Sequence, residues 1–93
     1  CNCSLCRRYA ALWAYAPPAR LVLHLPQGAT TTYSWGDRSI AFHTCKVCGV
    51  VTHYQSLVDE RIAVNMRNVD NPKVLDGLRL RHFDGADSWT FLD

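Results

Sequence analysis

The sequence predicts a small, mainly β domain built from short antiparallel sheets, and three observations carry that expectation. Apolar and polar residues alternate with period two in several separate segments, turn signals bound those segments, and helical patterns are scarce. The 93 residues read as one domain over 1–93, with 48% hydrophobic and 19% charged residues, a composition that excludes a disordered chain. A chain of this size buries only roughly 60–70% of its unfolded surface, so a further staple is expected.

In chain order, the Ala- and Leu-rich segment after Cys6 through Tyr15 reads as one or two helical turns, stopped by Pro17. Leu21, Leu23 and Leu25 alternate with Val22 and His24, which predicts a strand ending at Pro26-Gln27-Gly28. Strands follow at Thr30 to Trp35, around Ile40 to His43, at Val50 to Gln55 and at Ile62 to Arg67. Asn71-Pro72-Lys73-Val74-Leu75-Asp76-Gly77 predicts a short helix, with Asn71 as its cap, Pro72 at its first position and Gly77 past its end. A last strand is expected at Leu78 to Phe83, closed by Asp84-Gly85.

Ten Lys and Arg against eight Asp and Glu give a net charge of +2, with the basic residues scattered, so no nucleic-acid partner is expected. The longest apolar stretch, Tyr9 to Ala19, is broken by Pro17 and Pro18 and falls short of the ~20 residues that cross a bilayer. A cytoplasmic protein without a membrane partner is expected. There is no phosphate loop, dinucleotide fingerprint or Gly-x-Ser-x-Gly elbow.

The five cysteines fall in two tight clusters, Cys1-Asn2-Cys3-Ser4-Leu5-Cys6 and Cys45-Lys46-Val47-Cys48-Gly49. Such close spacing suits metal chelation better than a disulfide framework, and zinc is the natural candidate. Gly49, directly after Cys48, supplies the positive φ that a tight metal-binding turn needs. Spacing leaves two arrangements open. In one, Cys3, Cys6, Cys45 and Cys48 form a single four-cysteine site with Cys1 to spare. In the other, Cys1, Cys3 and Cys6 hold one ion and Cys45 and Cys48 serve a second. Three thiolates leave a fourth position open, where a small-molecule thiol can bind as thiolate and stay nucleophilic.

Arg7 and Arg8 follow Cys6 directly, either offsetting the thiolate charge or facing a substrate carboxylate. Tyr9 and Trp13, four residues apart, are candidate pocket walls, while the other tryptophans and tyrosines read as core. His24, His43, His53 and His82 all fall in predicted strands and read as hydrogen-bonded strand residues rather than ligands.

Four stretches together carry a family resemblance: Cys1-Asn2-Cys3-Ser4-Leu5-Cys6-Arg7-Arg8, Phe42-His43-Thr44-Cys45-Lys46-Val47-Cys48-Gly49, Val64-Asn65-Met66-Arg67 and Phe83-Asp84-Gly85-Ala86-Asp87-Ser88-Trp89. They resemble the glutathione-dependent formaldehyde-activating enzyme family, which includes relatives of centromere protein V. The resemblance implies an Mss4-like fold with two zinc sites. Cys1, Cys3 and Cys6 correspond to the catalytic triplet, and Cys45 and Cys48 to half of a structural site. In that family the other half is an upstream Cys-x-Cys pair. Because the sequence opens on Cys1, an upstream strand carrying that pair is expected outside these residues. The implied activity is a zinc-dependent carbon–sulfur lyase of thiol adducts, forming or cleaving S-hydroxymethylglutathione from glutathione and formaldehyde. The alternative is a non-catalytic zinc module mediating protein or chromatin contacts.

Overall fold

The computed structural model describes all 93 residues, which divide into two units. Trp13–Asn65 forms a sheet unit, and Cys1–Leu12 with Met66–Asp93 forms a loop unit.

The sheet unit holds strands β1 (Trp13–Ala16), β2 (Thr30–Tyr33), β3 (Ile40–Cys45), β4 (Val51–Ser56) and β5 (Ile62–Asn65). They form one antiparallel sheet in the order β1-β5-β4-β3-β2. The period-two alternation sorts residues between the two faces. Phe42 pairs with Tyr54, Tyr54 with Ala63 and Ala63 with Tyr15, so these four share a face. On that face Trp13 meets Tyr54 edge-on at 4.9 Å between ring centroids, and Phe42 lies 5.7 Å from Tyr54. The opposite face carries the row Thr32, His43, His53, Val64 and Ala14. A bulge between His43 and Thr44 re-aims the end of β3, where Cys45 sits.

The loop unit contains helix α1 (Ser4–Tyr9), two short 3₁₀ segments at Met66–Asn68 and Pro72–Gly77, and an isolated antiparallel bridge between Phe83 and Phe91. Helix α1 stops at Ala10, whose left-handed conformation (φ 52°) turns its N–H back onto the carbonyls of Arg7 and Cys6. Asn71 caps the second 3₁₀ segment through its side chain to the N–H of Lys73, with Pro72 at the first position as the sequence predicts; Gly77 lies inside its last turn.

The fold is mainly antiparallel β with little helix, as the alternation predicts. Three elements differ from expectation. Trp13–Ala16 is a strand, because its aromatic residues find a partner in β5 once α1 has ended at Ala10. Leu21 to Leu25 forms no strand: the segment lies between Pro18 and Pro26, Val22 is 73% exposed, and no strand of the sheet pairs with it. Leu78 to Phe83 contributes only the Phe83–Phe91 bridge. Alternation supplies propensity, but a strand needs a neighbouring backbone to satisfy its N–H and C=O groups. Trp35 and Trp89 are exposed rather than core. No helix is long and apolar enough to cross a membrane.

Candidate metal centre

Cys3 is the N-cap of α1, with extended backbone (φ −61°, ψ 162°), and its Sγ accepts the N–H of Cys6 at 3.4 Å. Ser, Thr, Asp or Asn usually fills this position; here a sulfur does the capping. The N–H of Cys3 in turn donates to Cys1 Sγ at 3.5 Å. These two local bonds curl residues 1–6 so that the sulfurs of Cys1, Cys3 and Cys6 lie within 4.8 Å of one another. A tetrahedral ion with metal–sulfur bonds of about 2.3 Å spaces its sulfurs ~3.8 Å apart, so the three can hold a single metal ion with small adjustments. Burial is graded from exposed Cys1 through half-buried Cys3 to buried Cys6, which leaves the Cys1 edge of the cluster open to solvent.

The tail of the loop unit clasps this curl. Asn2 donates its side-chain amide to Asp84 Oδ1 at 3.0 Å, accepts the N–H of Ala86 at 3.0 Å, and donates its backbone N–H to the Phe83 carbonyl at 3.2 Å. Asp84 Oδ2 accepts both the N–H and the hydroxyl of Ser88, at 3.1 and 2.9 Å. These donors, the Asn2 amide foremost, hold the Asp84 carboxyl below the usual carboxylate range. Gly85 lies against the cluster itself: a Cβ there would stand 2.6 Å from Cys1 Sγ and 3.4 Å from Cys3 Cβ. Only a residue without a side chain fits that approach.

A depression of about 350 Å³ in the loop unit is lined by Cys1, Asn2, His82, Phe83, Leu92 and Asp93. Within it, His82 Nδ1 is 2.9 Å from Asp93 Oδ2, and Asp93 Oδ1 accepts the backbone N–H of His82 at 3.0 Å.

Cys45 and Cys48 belong to the sheet unit, on the turn after β3. The Val47 N–H donates to Cys45 Sγ at 3.4 Å, the Gly49 N–H to the Cys45 carbonyl at 2.9 Å, and the Cys45 N–H to the Val50 carbonyl at 2.9 Å. Gly49 takes φ 80°, as the turn reading requires. The N–H groups of Cys48 and then Val47 push the Cys45 thiol below its ordinary pKa. The turn offers two sulfur donors; the cluster of three is complete within its own unit.

Among the other sequence candidates, Arg7 and Tyr9 sit on α1 directly after Cys6, with Arg7 exposed and Tyr9 half-buried. Trp13 is on β1 in the aromatic group with Phe42 and Tyr54. His43 and His53 are strand residues, stacked at 4.1 Å between ring centroids with an 18° interplanar angle. Their Nδ1 atoms pair with the hydroxyls of Thr30 at 2.9 Å and Thr52 at 2.8 Å. His53 is 2% exposed with its Nε2 unpartnered, and burial, then the neighbouring His43, lowers its pKa to about 4. Sequence reasoning missed the clasp by Asn2 and Asp84, the packing role of Gly85 and the His82–Asp93 pair. Only the Asp84-Gly85 turn signal pointed toward any of them.

No family model matches the chain, and no curated protein matches it. A Rhodobacter sphaeroides protein of known crystal structure is similar, with 33% sequence identity and a TM-score of 0.67 over 81% of this chain and 72% of that one. Identity and shared fold over that span place the chain in the same family as the Rhodobacter sphaeroides protein.

Proposed function

We propose that Cys1, Cys3 and Cys6 hold a zinc ion and that the protein is a carbon–sulfur lyase acting on adducts of a small thiol and an aldehyde. The observation that carries this reading is the convergence of three sulfurs, and three only, within 4.8 Å beside a solvent-open depression. Three protein donors are the ligand count of catalytic rather than structural zinc sites. Zinc, when bound there, favours the thiolate form of a sulfur ligand at its remaining position.

The chain's own residues do the rest. The Asn2–Asp84 clasp and Gly85 fix the Cys1 sulfur at the edge of the depression, where a thiol can approach. Arg7, Arg8 and Tyr9, on the helix that Cys3 caps, are the groups we assign to the carboxylates and backbone of the incoming thiol. Glutathione and formaldehyde, joined as S-hydroxymethylglutathione, are the pair that the sequence resemblance suggests. On the same reading Cys45 and Cys48 supply two corners of a structural zinc site. Five free cysteines and a thiolate chemistry suit a reducing compartment such as the cytoplasm.

Cobalt substitution tests the proposal. Thiolate charge-transfer and d–d bands of the cobalt protein should report three cysteine ligands and shift on titration with glutathione. A spectrum already showing four protein ligands, unchanged by saturating glutathione, overturns it and favours a non-catalytic zinc module.

A further inference from the structure

We infer that His82, oriented by Asp93, is the group that carries the proton in the thiol chemistry of this site; the inference rests on the reading of Cys1, Cys3 and Cys6 as a thiol-binding centre. His82 and Cys1 line the same depression of about 350 Å³, within the ~300–1,000 Å³ range of small-molecule pockets. The imidazole is held at one nitrogen only. Asp93 takes Nδ1 at 2.9 Å with one oxygen and the backbone N–H of His82 at 3.0 Å with the other, so one oxygen holds the ring and the second anchors the carboxylate that does so.

The segments bearing the pair are tied together as well. The Leu92 N–H donates to the His82 carbonyl at 2.8 Å, and Phe83 bridges Phe91. A carboxylate at Nδ1 sets the tautomer that leaves the Nε2 lone pair available, the arrangement by which a base is oriented in acid–base catalysis. Asp84, two residues on, is turned to Asn2 of the same lining and to Ser88, and the other charged and titratable groups about His82 are three. They are Cys1 across the depression, Asp93, and Arg81, whose guanidinium lies 3.8 Å over the Phe91 ring and donates to the Asp93 carbonyl at 3.1 Å. Hydrogen bonding to His82 keeps the Asp93 carboxyl below its ordinary pKa, ready to balance an imidazolium.

The proton balance is simple. The S–H bond of the entering thiol breaks, its proton goes to His82 Nε2, and the electron pair stays on sulfur as thiolate. That sulfur pair forms the carbon–sulfur bond to the aldehyde carbonyl carbon, and the C=O π pair moves to oxygen. The imidazolium then returns its proton to that oxygen, giving the neutral hemithioacetal and restoring the base. In the cleavage direction the same proton travels back from hydroxyl to sulfur.

Stopped-flow capture of glutathione by the cobalt-loaded protein tests the role, comparing wild type with His82→Asn. The His82 side chain is 67% exposed, so the variant is expected to fold, and its cobalt bands should match those of wild type before thiol is added. A thiol of ordinary pKa ~8.5 is only about 3% ionised at pH 7, so a protein that waits for preformed thiolate captures it about 30-fold more slowly. His82→Asn should show that deficit at pH 7 and lose it at about pH 9.5, where the thiol is already ionised. Equal rates at pH 7 overturn the role of His82 while leaving the thiol-binding reading intact. Absence of capture by wild type overturns that reading and the inference with it. In the metal-free protein, nitrogen-15 NMR should show His82 as the Nδ1–H tautomer, and Asp93→Asn should shift it toward Nε2–H. An unchanged tautomer would overturn the orienting role of Asp93.

Discussion

The two cysteine clusters use the same local device and reach different ends. In the loop unit, N–H groups of Cys3 and Cys6 point at the sulfurs of Cys1 and Cys3; in the sheet unit, the N–H of Val47 points at Cys45. At Cys45 such bonds, from the N–H groups of Cys48 and then Val47, favour the thiolate. The surroundings separate the clusters. The turn at Cys45 hangs from regular β-pairing and offers two sulfurs, whereas residues 1–6 gather three and are gripped by a tail loop through Asn2, Asp84 and Gly85. Donor count and supporting shell, not the N–H···S bond, separate a candidate centre from a turn with two thiols.

The strongest test of that contrast removes a buried donor. Cys6→Ser should abolish tight metal binding at the three-sulfur cluster, a loss well beyond the ~10–100-fold that removing an outer-shell partner costs. Cys45→Ser should leave the spectrum of the cobalt-loaded triplet unchanged. Metal analysis and cobalt spectra of the two variants decide the matter, and equal losses from both would merge the clusters into one four-cysteine site.

Acid should injure the sheet unit. His53 is neutral in the fold, with its pKa lowered from 6.5 to about 4, so the unfolded chain binds the extra proton first. Stability should therefore fall as pH drops from about 6.5 toward 4 and, for this group, level off below. At ~1.36 kcal/mol per pKa unit the full loss is about 3 kcal/mol. Denaturant unfolding at pH 7 and pH 4.5 should show a steeper decline for wild type than for His53→Asn; parallel declines would remove His53 as the cause.

Gly85→Ala places a methyl group 2.6 Å from Cys1 Sγ, so the clasp or the sulfur must shift. Metal affinity should drop ~10–100-fold, the range for outer-shell changes, with little loss of sheet structure by circular dichroism. Unaltered affinity would show that the tail does not position the cluster. The smallest effect is expected at Gly49→Ala, where a Cβ meets open space but φ is 80°. The cost should be about 1–2 kcal/mol of stability with no change at the triplet, read by thermal unfolding and cobalt titration.

The triplet was legible because its folding is local: capping and N–H···S bonds span three residues or fewer, and close cysteine spacing encodes them. The central strands were legible because β3, β4 and β5 each have a partner that rewards their alternation. Leu21 to Leu25 alternates equally well and forms no strand, since pairing is a property of two segments and the pattern describes one. Trp13 to Ala16 was hidden by alanines that suit a helix in isolation. His82 and Asp93 are 11 residues apart, and their stretches of chain are brought together by the Phe83–Phe91 bridge and the bond from the Leu92 N–H to the His82 carbonyl. No periodicity in either segment signals such a pair, and the grip of Asn2 on Asp84, across 82 residues, leaves still less trace.

That span governs the order in which the centre is made. The loop unit is discontinuous, with the whole sheet unit inserted between its two parts. At roughly 5–20 residues per second of synthesis, the sulfurs of residues 1–6 emerge about 4–16 s before Asp84 and Gly85 exist to grip them. Closing a flexible loop of this length costs about 4 kcal/mol of chain entropy beyond a constant. The intervening sheet, once folded, shortens the effective tether and removes much of that cost. The ligands are thus made before their clasp, so the nascent chain presents three unclasped thiols until Asp84 and Gly85 have been added and have closed on them.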